Sequence, residues 1–179
     1  MTKYVAMLRG INVAGNTRVK MDDLRRMFTD MGNTDVQTYL QSGNVIFSSS
    51  QRGARKLETA IEEAIAAELD LQIAVLVRTH PDLAKILTAN PYLDRETDLT
   101  KLPVTFLADK PDADKVAALE VPSGESAVCT VVGREVYLHC PNGYGRTKLN
   151  NAFLERKLGV KATTRNWKSV TTLHDMSAS

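Results

Sequence analysis

The chain has 179 residues and a mass of 19.7 kDa, with 43% hydrophobic and 25% charged residues, as is typical of globular proteins. This composition argues against disordered and collagen-like chains, and no apolar run approaches the roughly 20 residues of a membrane-spanning helix. The formal net charge is only +2, but residues 1–30 carry +3, residues 141–179 carry +5 and the middle carries −6. We expect a soluble, cytoplasmic protein without a membrane partner, whose basic ends make a positive patch if they fold close together.

The first half of the chain predicts secondary structure in the order βαββαβ. An apolar run over 4–8 predicts a buried strand, and apolar residues three and four apart predict a helix over 21–31. Two β-rich runs within 36–47 flank a Ser-Gly-Asn turn and predict a hairpin, which a helix over 54–69 and a strand over 73–77 follow. This order is typical of the ferredoxin-like split βαβ fold, an antiparallel sheet with both helices on one face.

The second half predicts a βαββα order that ends in helices. Its predicted elements are a short helix through 83–87, a strand over 104–108, a helix over 113–119, a hairpin over 127–140 and helices over 148–158 and 167–176. We therefore predict an α+β protein with two subdomains. Residues 1–79 form the ferredoxin-like subdomain, and residues 80–179 form a second α+β subdomain with C-terminal helices.

Two cysteines belong to the second predicted hairpin. A two-residue turn at Gly133-Arg134 sets Cys129 opposite Leu138. In this register, Cys129 and Cys140 are diagonal neighbours across the two strands. Diagonal Cβ atoms lie about 7 Å apart, which is too far for a disulfide bond. We expect two reduced, buried thiols and no metal site, since the chain has no C-x-x-C motif.

The loop after the first strand is the first candidate site. It contains Arg9, Asn12, Asn16 and Lys20 together with two glycines, which tolerate positive φ and a close approach of the backbone. Such a loop presents backbone N–H groups and one guanidinium together, as an anion or polar-ligand site requires. The alternative is that Arg9 and Asn12 only tie the loop to its neighbours.

The turn of the first hairpin carries Gln41, Ser42 and Asn44. In the predicted sheet, we expect this turn at the end opposite to the exit of the first strand. Its polar residues are then ordinary turn residues rather than part of the site.

Polar and basic residues also precede the two C-terminal helices. Arg146 and Lys148 open the first helix, and Arg165, Asn166 and Trp167 open the second. Helix N-termini hold phosphate or carboxylate groups well, but capping of the helix is the commoner use of residues such as Asn166. The glycine-containing string before Lys148 lacks the spacing of a P-loop, so it does not predict hydrolysis of nucleoside triphosphates.

Three motifs resemble the signature of a bacterial family. They are R-G-I-N-V-x-G-N at 9–16, T-Y-x-Q-S-G-N-V-x-F at 38–47 and L-E-R-K-L-G-V-x-A-T-x-R-N-W at 154–167. The family is catalogued as a domain of unknown function, number 1697, and the resemblance extends over residues 4–176. Lys20 stands where members often have proline. The resemblance implies a two-subdomain α+β protein and implies no established activity.

The favoured interpretation is a protein that binds a small anionic, phosphorylated ligand in a basic cleft between the two halves. Its predicted ligand-binding residues are Arg9, Asn12, Asn16, Lys20, Arg146, Lys148, Arg165, Asn166 and Trp167. A nucleic-acid-binding module is the second interpretation, because βαββαβ is also the topology of RNA-recognition domains and Phe47 lies in the third strand. A protein-interaction domain with an acidic partner is the third. The positions of the three histidines in the sequence do not indicate a nucleophile–base pair. The sequence identifies no cofactor and no reaction.

Overall fold

The computed structural model describes residues 1–13 and 17–178. These residues form two four-stranded antiparallel sheets and six α-helices, which confirms the predicted α+β class and its two halves. Contacts divide the chain into an N-terminal unit, Met1–Ala84 with the residues from Thr172 onward, and a C-terminal unit, Lys85–Thr171. In the described part of the chain, no helix combines the length and the apolarity needed to cross a bilayer.

The N-terminal unit has the predicted ferredoxin-like topology, with strand order β2-β3-β1-β4. Antiparallel pairing joins β1 to both β3 and β4, so β1 lies inside the sheet and β2 and β4 form its edges. Its elements are β1 (Thr2–Leu8), α1 (Met21–Asp30), β2 (Thr34–Tyr39), β3 (Asn44–Ser49), α2 (Ala54–Leu69), β4 (Val75–Thr79) and the first part of α3 (His80–Thr88), whose residues from Lys85 onward belong to the C-terminal unit.

Both faces of this sheet are buried along the strands β1, β3 and β4, whereas β2 is largely exposed. On one face, alternate residues of β1 pack with Phe28 of α1 and Ile61 of α2, and the ring of Phe28 meets the ring of Phe47 edge to face at 5.1 Å. On the other face, Val5 and Met7 have no solvent-exposed surface. Burial on both faces explains why β1 is a continuous apolar run rather than an alternating one.

The C-terminal unit has the strand order β6-β7-β5-β8. Its elements are β5 (Val104–Leu107), α4 (Ala113–Ala117), β6 (Val128–Val132), β7 (Glu135–His139), α5 (Asn151–Leu158), β8 (Ala162–Arg165) and the first part of α6 (Trp167–Met176), with 3₁₀ turns at Leu99–Lys101 and Tyr144–Arg146. The residues of α6 from Thr172 onward belong to the N-terminal unit. The strand β8 is an addition to the predicted βαββα order. It pairs with β5 along its whole length, so this unit also folds as βαββαβ.

The helix α5 begins three residues later than the sequence predicts. The side chain of Asn150 accepts a hydrogen bond of 3.0 Å from the backbone N–H of Phe153 and caps the helix. Lys148 therefore lies in the preceding loop. Thr147 lies there too, and its hydroxyl accepts a hydrogen bond from the backbone N–H of Leu149 at 3.1 Å.

The cysteine hairpin has the predicted register. Cys129 lies opposite Leu138 across the pair β6–β7, and both cysteines are free thiols. Burial, with smaller contributions from Glu125 and Cys129, raises the pKa of Cys140 to about 11, and burial also raises the pKa of Cys129. Both groups are therefore protonated and weakly nucleophilic at neutral pH.

Candidate functional site

Asn12 joins the two described ends of the loop between β1 and α1. This residue adopts a left-handed φ of 54°, its side-chain oxygen accepts from the N–H of Val19 at 2.9 Å, and its amide donates to Val19 O at 2.9 Å. The same amide donates to Gln41 O at 2.7 Å. Because these bonds engage both ends of the carboxamide, Asn12 positions the loop. Asn16, also a predicted ligand-binding residue, lies outside the described residues.

The turn between β2 and β3 lies beside this loop, which corrects the prediction that it lies at the far end of the sheet. Because β1 and β3 are antiparallel and Met7 lies opposite Asn44, β3 begins where β1 ends. The N–H of Leu8 donates to Gly43 O at 2.9 Å, and the Asn12 amide reaches Gln41 O. The described residues of the first motif therefore lie against the second motif.

A basic groove opens where this loop and this turn meet α1. One part has a volume of about 650 Å³ and includes Arg25, Thr38 and Gln41 in its wall, and an adjoining part of about 440 Å³ includes Arg18. Lys20 and Gln41 line both parts. Arg18 and Lys20 are exposed, and no side-chain hydrogen bond or ion pair to either is found among residues 1–13 and 17–178.

The N-terminus of α1 also lies in this groove. Lys20 is the N-cap residue, has extended backbone angles and makes no hydrogen bond from its side chain to the helix. The first N–H groups of the helix thus lack a capping side chain, and the helix dipole places partial positive charge there. The guanidinium of Arg25 contacts the Asp22 carboxylate and the Thr38 hydroxyl, so it is already partly neutralised.

Among the predicted ligand-binding residues, the structure places Asn12 and Lys20 in this groove. Arg9 lies half-buried just after β1, where its N–H donates to Ala74 O at 3.0 Å. The sequence did not predict the groove's other charged and polar residues, Arg18, Asp22, Arg25, Thr38 and Gln41. The available signal for Arg18 was its position two residues before Lys20, in the basic segment that precedes the first helix.

The predicted ligand-binding residues of the C-terminal half differ in solvent exposure. Arg146 and Lys148 are exposed in the loop before α5. Arg165 is in β8, only 7% exposed, where its guanidinium donates to the Thr163 hydroxyl at 2.8 Å. Burial lowers the pKa of Arg165 to about 10, which leaves it charged at neutral pH. Trp167 is only 8% exposed, so little of its ring is available for stacking on a ligand.

Asn166 caps α6. Its side-chain oxygen accepts a hydrogen bond of 2.8 Å from the backbone N–H of Ser169. This is the capping arrangement that the sequence offered as the alternative to ligand binding.

The three histidines lie in two places. The rings of His80 and His174 stack at 4.3 Å between centroids, and Nδ1 of His80 lies 3.0 Å from Ser177 Oγ. That serine is fully buried and its hydroxyl donates to His174 O, so a substrate has no access to it. His139 contacts Glu96 at 3.0 Å, and this bond lowers the pKa of the carboxyl group. Within the described ranges, no cluster of three His, Cys, Asp or Glu side chains could hold a metal ion.

Comparison with known proteins identifies the family. The family model described as Protein of unknown function (DUF1697) matches residues 1–137. The chain belongs to this family. The DUF1697 chain also matches the solved structure of conserved bacterial protein SP0830 from Streptococcus pneumoniae, with 25% sequence identity, a TM-score of 0.76 and coverage of 99% of each chain. No curated protein matches it. The family predicted from the three motifs is therefore confirmed.

Proposed function

We propose that this DUF1697 protein binds a small molecule carrying phosphate or carboxylate groups in the basic groove of its N-terminal unit. The observation that carries the proposal is the placement of exposed Arg18 and Lys20 beside the N-terminus of α1, which has no capping side chain. Cationic side chains and free backbone N–H groups that face the same space are the usual components of an anion site.

The size and chemistry of the groove fit a small metabolite. Its larger part, about 650 Å³, falls within the range of ligand pockets in proteins. The hydroxyl of Thr38 and the amide of Gln41 add polar groups that can orient a ligand. Of the described residues in the wall of either part, only Asp22 is acidic, and its carboxylate is paired with Arg25.

The buried sheet disfavours RNA recognition in the manner of RNA-recognition domains. Those domains stack bases on aromatic side chains of an open sheet face. Here Phe47 belongs to the core beneath the helices, and on the opposite face Val5 and Met7 are fully buried. The roles predicted for Arg146 and Lys148 in ligand binding stay predictions.

Calorimetric titration with pyrophosphate, citrate and a nucleoside monophosphate tests the proposal. We expect saturable binding of at least one of these probes, and a decrease in affinity of about tenfold or more for Lys20→Gln and Arg18→Gln, because each removes one charge-assisted contact. Lys56→Gln is the matched control, since Lys56 is an exposed lysine on α2 of the same unit.

Two results contradict the proposal. One is the absence of binding for all three probes at millimolar concentration. The other is binding that Lys20→Gln and Lys56→Gln weaken equally. A parallel titration with single-stranded RNA at two salt concentrations examines the second interpretation, which predicts a steep loss of affinity with salt.

A further inference from the structure

The outer edge of β4 is closed by carboxylates. Strand β4 pairs on one side with β1, and the N–H groups of Val75, Val77 and Thr79 point to the other side. Val75 donates to Glu62 at 3.2 Å, Val77 to Glu58 at 2.8 Å and Thr79 to Asp82 at 2.9 Å. These acceptors occupy the groups that another strand would need for pairing.

The edges formed by β8 and β2 are closed in other ways. On β8, the N–H of Ala162 donates to the carboxylate of Glu155 at 2.9 Å. On β2, the register with β3 shifts between Thr34 and Gln37, and Asp35 within that irregularity has a φ of 52°. Bulges and charged residues of this kind are common means of preventing strand addition at a sheet edge.

The edge formed by β6 has none of these features. The strand Val128–Val132 reads Val-Cys-Thr-Val-Val, without a charge, a proline or an irregularity in its pairing. Val128 and Val132 are each 41% exposed, so the strand also presents apolar side chains to solvent. Such a strand is well suited to pairing with another chain.

The backbone groups of Cys129 and Val131 point outward from this edge. Leu138 of β7 donates its N–H to Pro103 O on the β5 side, so Leu138 and its cross-strand neighbour Cys129 form a pair without mutual hydrogen bonds. The N–H and C=O groups of Cys129, and by alternation those of Val131, therefore face away from β7. No hydrogen bond to them from the outer side is found in the described part of the chain.

We propose that β6 pairs antiparallel with β6 of a second copy of this chain, around a two-fold axis at Thr130. In this register, Cys129 lies opposite the partner's Val131, and each such pair exchanges both of its N–H···O bonds. Val128 lies opposite the partner's Val132 on the same face, so four half-exposed valines become buried in the dimer. The two sheets join into one continuous sheet of eight strands.

The strand β6 is complementary to itself, which favours a second copy of this chain as the partner at its outer edge. One register satisfies the outward backbone groups, matches the exposed valines and brings no like charges together, because the strand carries none. An apolar depression of about 320 Å³ lies on the helix side of this edge, between Val131 and residues Val116 and Ala113. It offers room for apolar side chains of the partner's strand.

Two double variants of the full chain test both the dimer and its register. Val128→Lys/Val132→Lys places lysine opposite lysine across the two-fold axis, whereas Val128→Glu/Val132→Lys places glutamate opposite lysine. Both remove the same two valines, so only the sign of one charge differs between them. Light scattering coupled to size exclusion, at up to about 200 µM protein, measures the mass. Circular dichroism confirms that both variants are folded.

We expect the natural chain and the Glu/Lys variant to be dimers and the Lys/Lys variant to be a monomer. A monomeric natural chain at the highest concentration overturns the proposal. Equal masses for the two double variants also overturn it, because the predicted register requires them to differ. A mixture of the Lys/Lys variant with Val128→Glu/Val132→Glu gives a second measurement, and we expect it to form a mixed dimer.

Discussion

Gly43 makes the contact between the first two motifs of the sequence possible. Its φ is +88°, and a Cβ atom added there would lie 2.6 Å from Cδ1 of Ile11 and 3.1 Å from Cβ of Leu8. The turn can approach the end of β1 this closely because glycine has no side chain. The groove beside Lys20 depends on that approach, since Gln41 is held by the loop that Asn12 shapes.

We expect Gly43→Ala to lower the free energy of unfolding by about 2–4 kcal/mol, because it adds a steric clash to the backbone strain of a positive φ. Gly32→Ala is the matched control: its φ is +90°, and no atom lies within 4 Å of the added Cβ. Urea denaturation of both variants measures the difference. Equal losses for the two variants would show that the crowding against Ile11 has no energetic consequence.

Helix α2 covers the sheet and also supplies hydrogen-bond acceptors to the edge strand β4. Its Glu58 is nearly fully buried and accepts the N–H of Val77, and Glu62, one turn later, accepts the N–H of Val75. The helix α5 repeats the arrangement, because Glu155 accepts from Ala162 of β8. The second helix of each unit, α2 or α5, therefore supplies hydrogen-bond acceptors to the edge strand that follows it along the chain.

Removal of the Glu58 carboxylate leaves the buried N–H of Val77 without this acceptor. We expect Glu58→Ala to lower the free energy of unfolding by about 1–3 kcal/mol. Glu63→Ala on the same helix is the control, because Glu63 is exposed, and we expect a change of less than about 0.5 kcal/mol. Denaturant unfolding gives both values. If the two substitutions have the same effect, the bond to Val77 does not contribute to stability.

Local patterns predicted most of these elements, while pairing over long distances determined the rest. The apolar run of β1 and the turn at Gly133-Arg134 are local signals, and both predictions are confirmed. The strand Ala162–Arg165 has only four residues and no apolar alternation, and it is a strand because β5 pairs with it. The contact of Asn12 with Gln41 depends on the register of β1 and β3, which the sequence pattern did not provide.

The whole molecule is a structural duplication. Both halves of the chain run βαββαβα and share one strand order, and the register of β1 with β4 matches that of β5 with β8 residue by residue. Arg78 lies opposite Val5 in the first sheet, and Arg165 lies opposite Val104 in the second. Both arginines are buried. Other equivalent positions carry different residues, such as Ala6 and Thr105 or Val77 and Thr164, so the sequence shows no repeat.

The duplication extends to the start of the last helix in each half. Thr79 follows Arg78 and caps α3, with its hydroxyl accepting from the N–H of Asp82 at 3.2 Å. Asn166 follows Arg165 and caps α6 in the same position, with its oxygen accepting from Ser169. An asparagine predicted as a ligand-binding residue therefore has a structural counterpart in a threonine that caps a helix.

This equivalence predicts that Thr79→Ala and Asn166→Ala each lower the free energy of unfolding by about 1 kcal/mol, as loss of an N-cap does. Asn166→Asp keeps an acceptor at the cap and should retain most of that stability.

If Asn166 acts only as a cap, calorimetric titration of Asn166→Ala with the probe that binds the natural chain will give an unchanged affinity. A variant that is as stable as the natural chain but has lost affinity would instead assign Asn166 to ligand binding, because a cap acts on stability and a ligand contact acts on affinity.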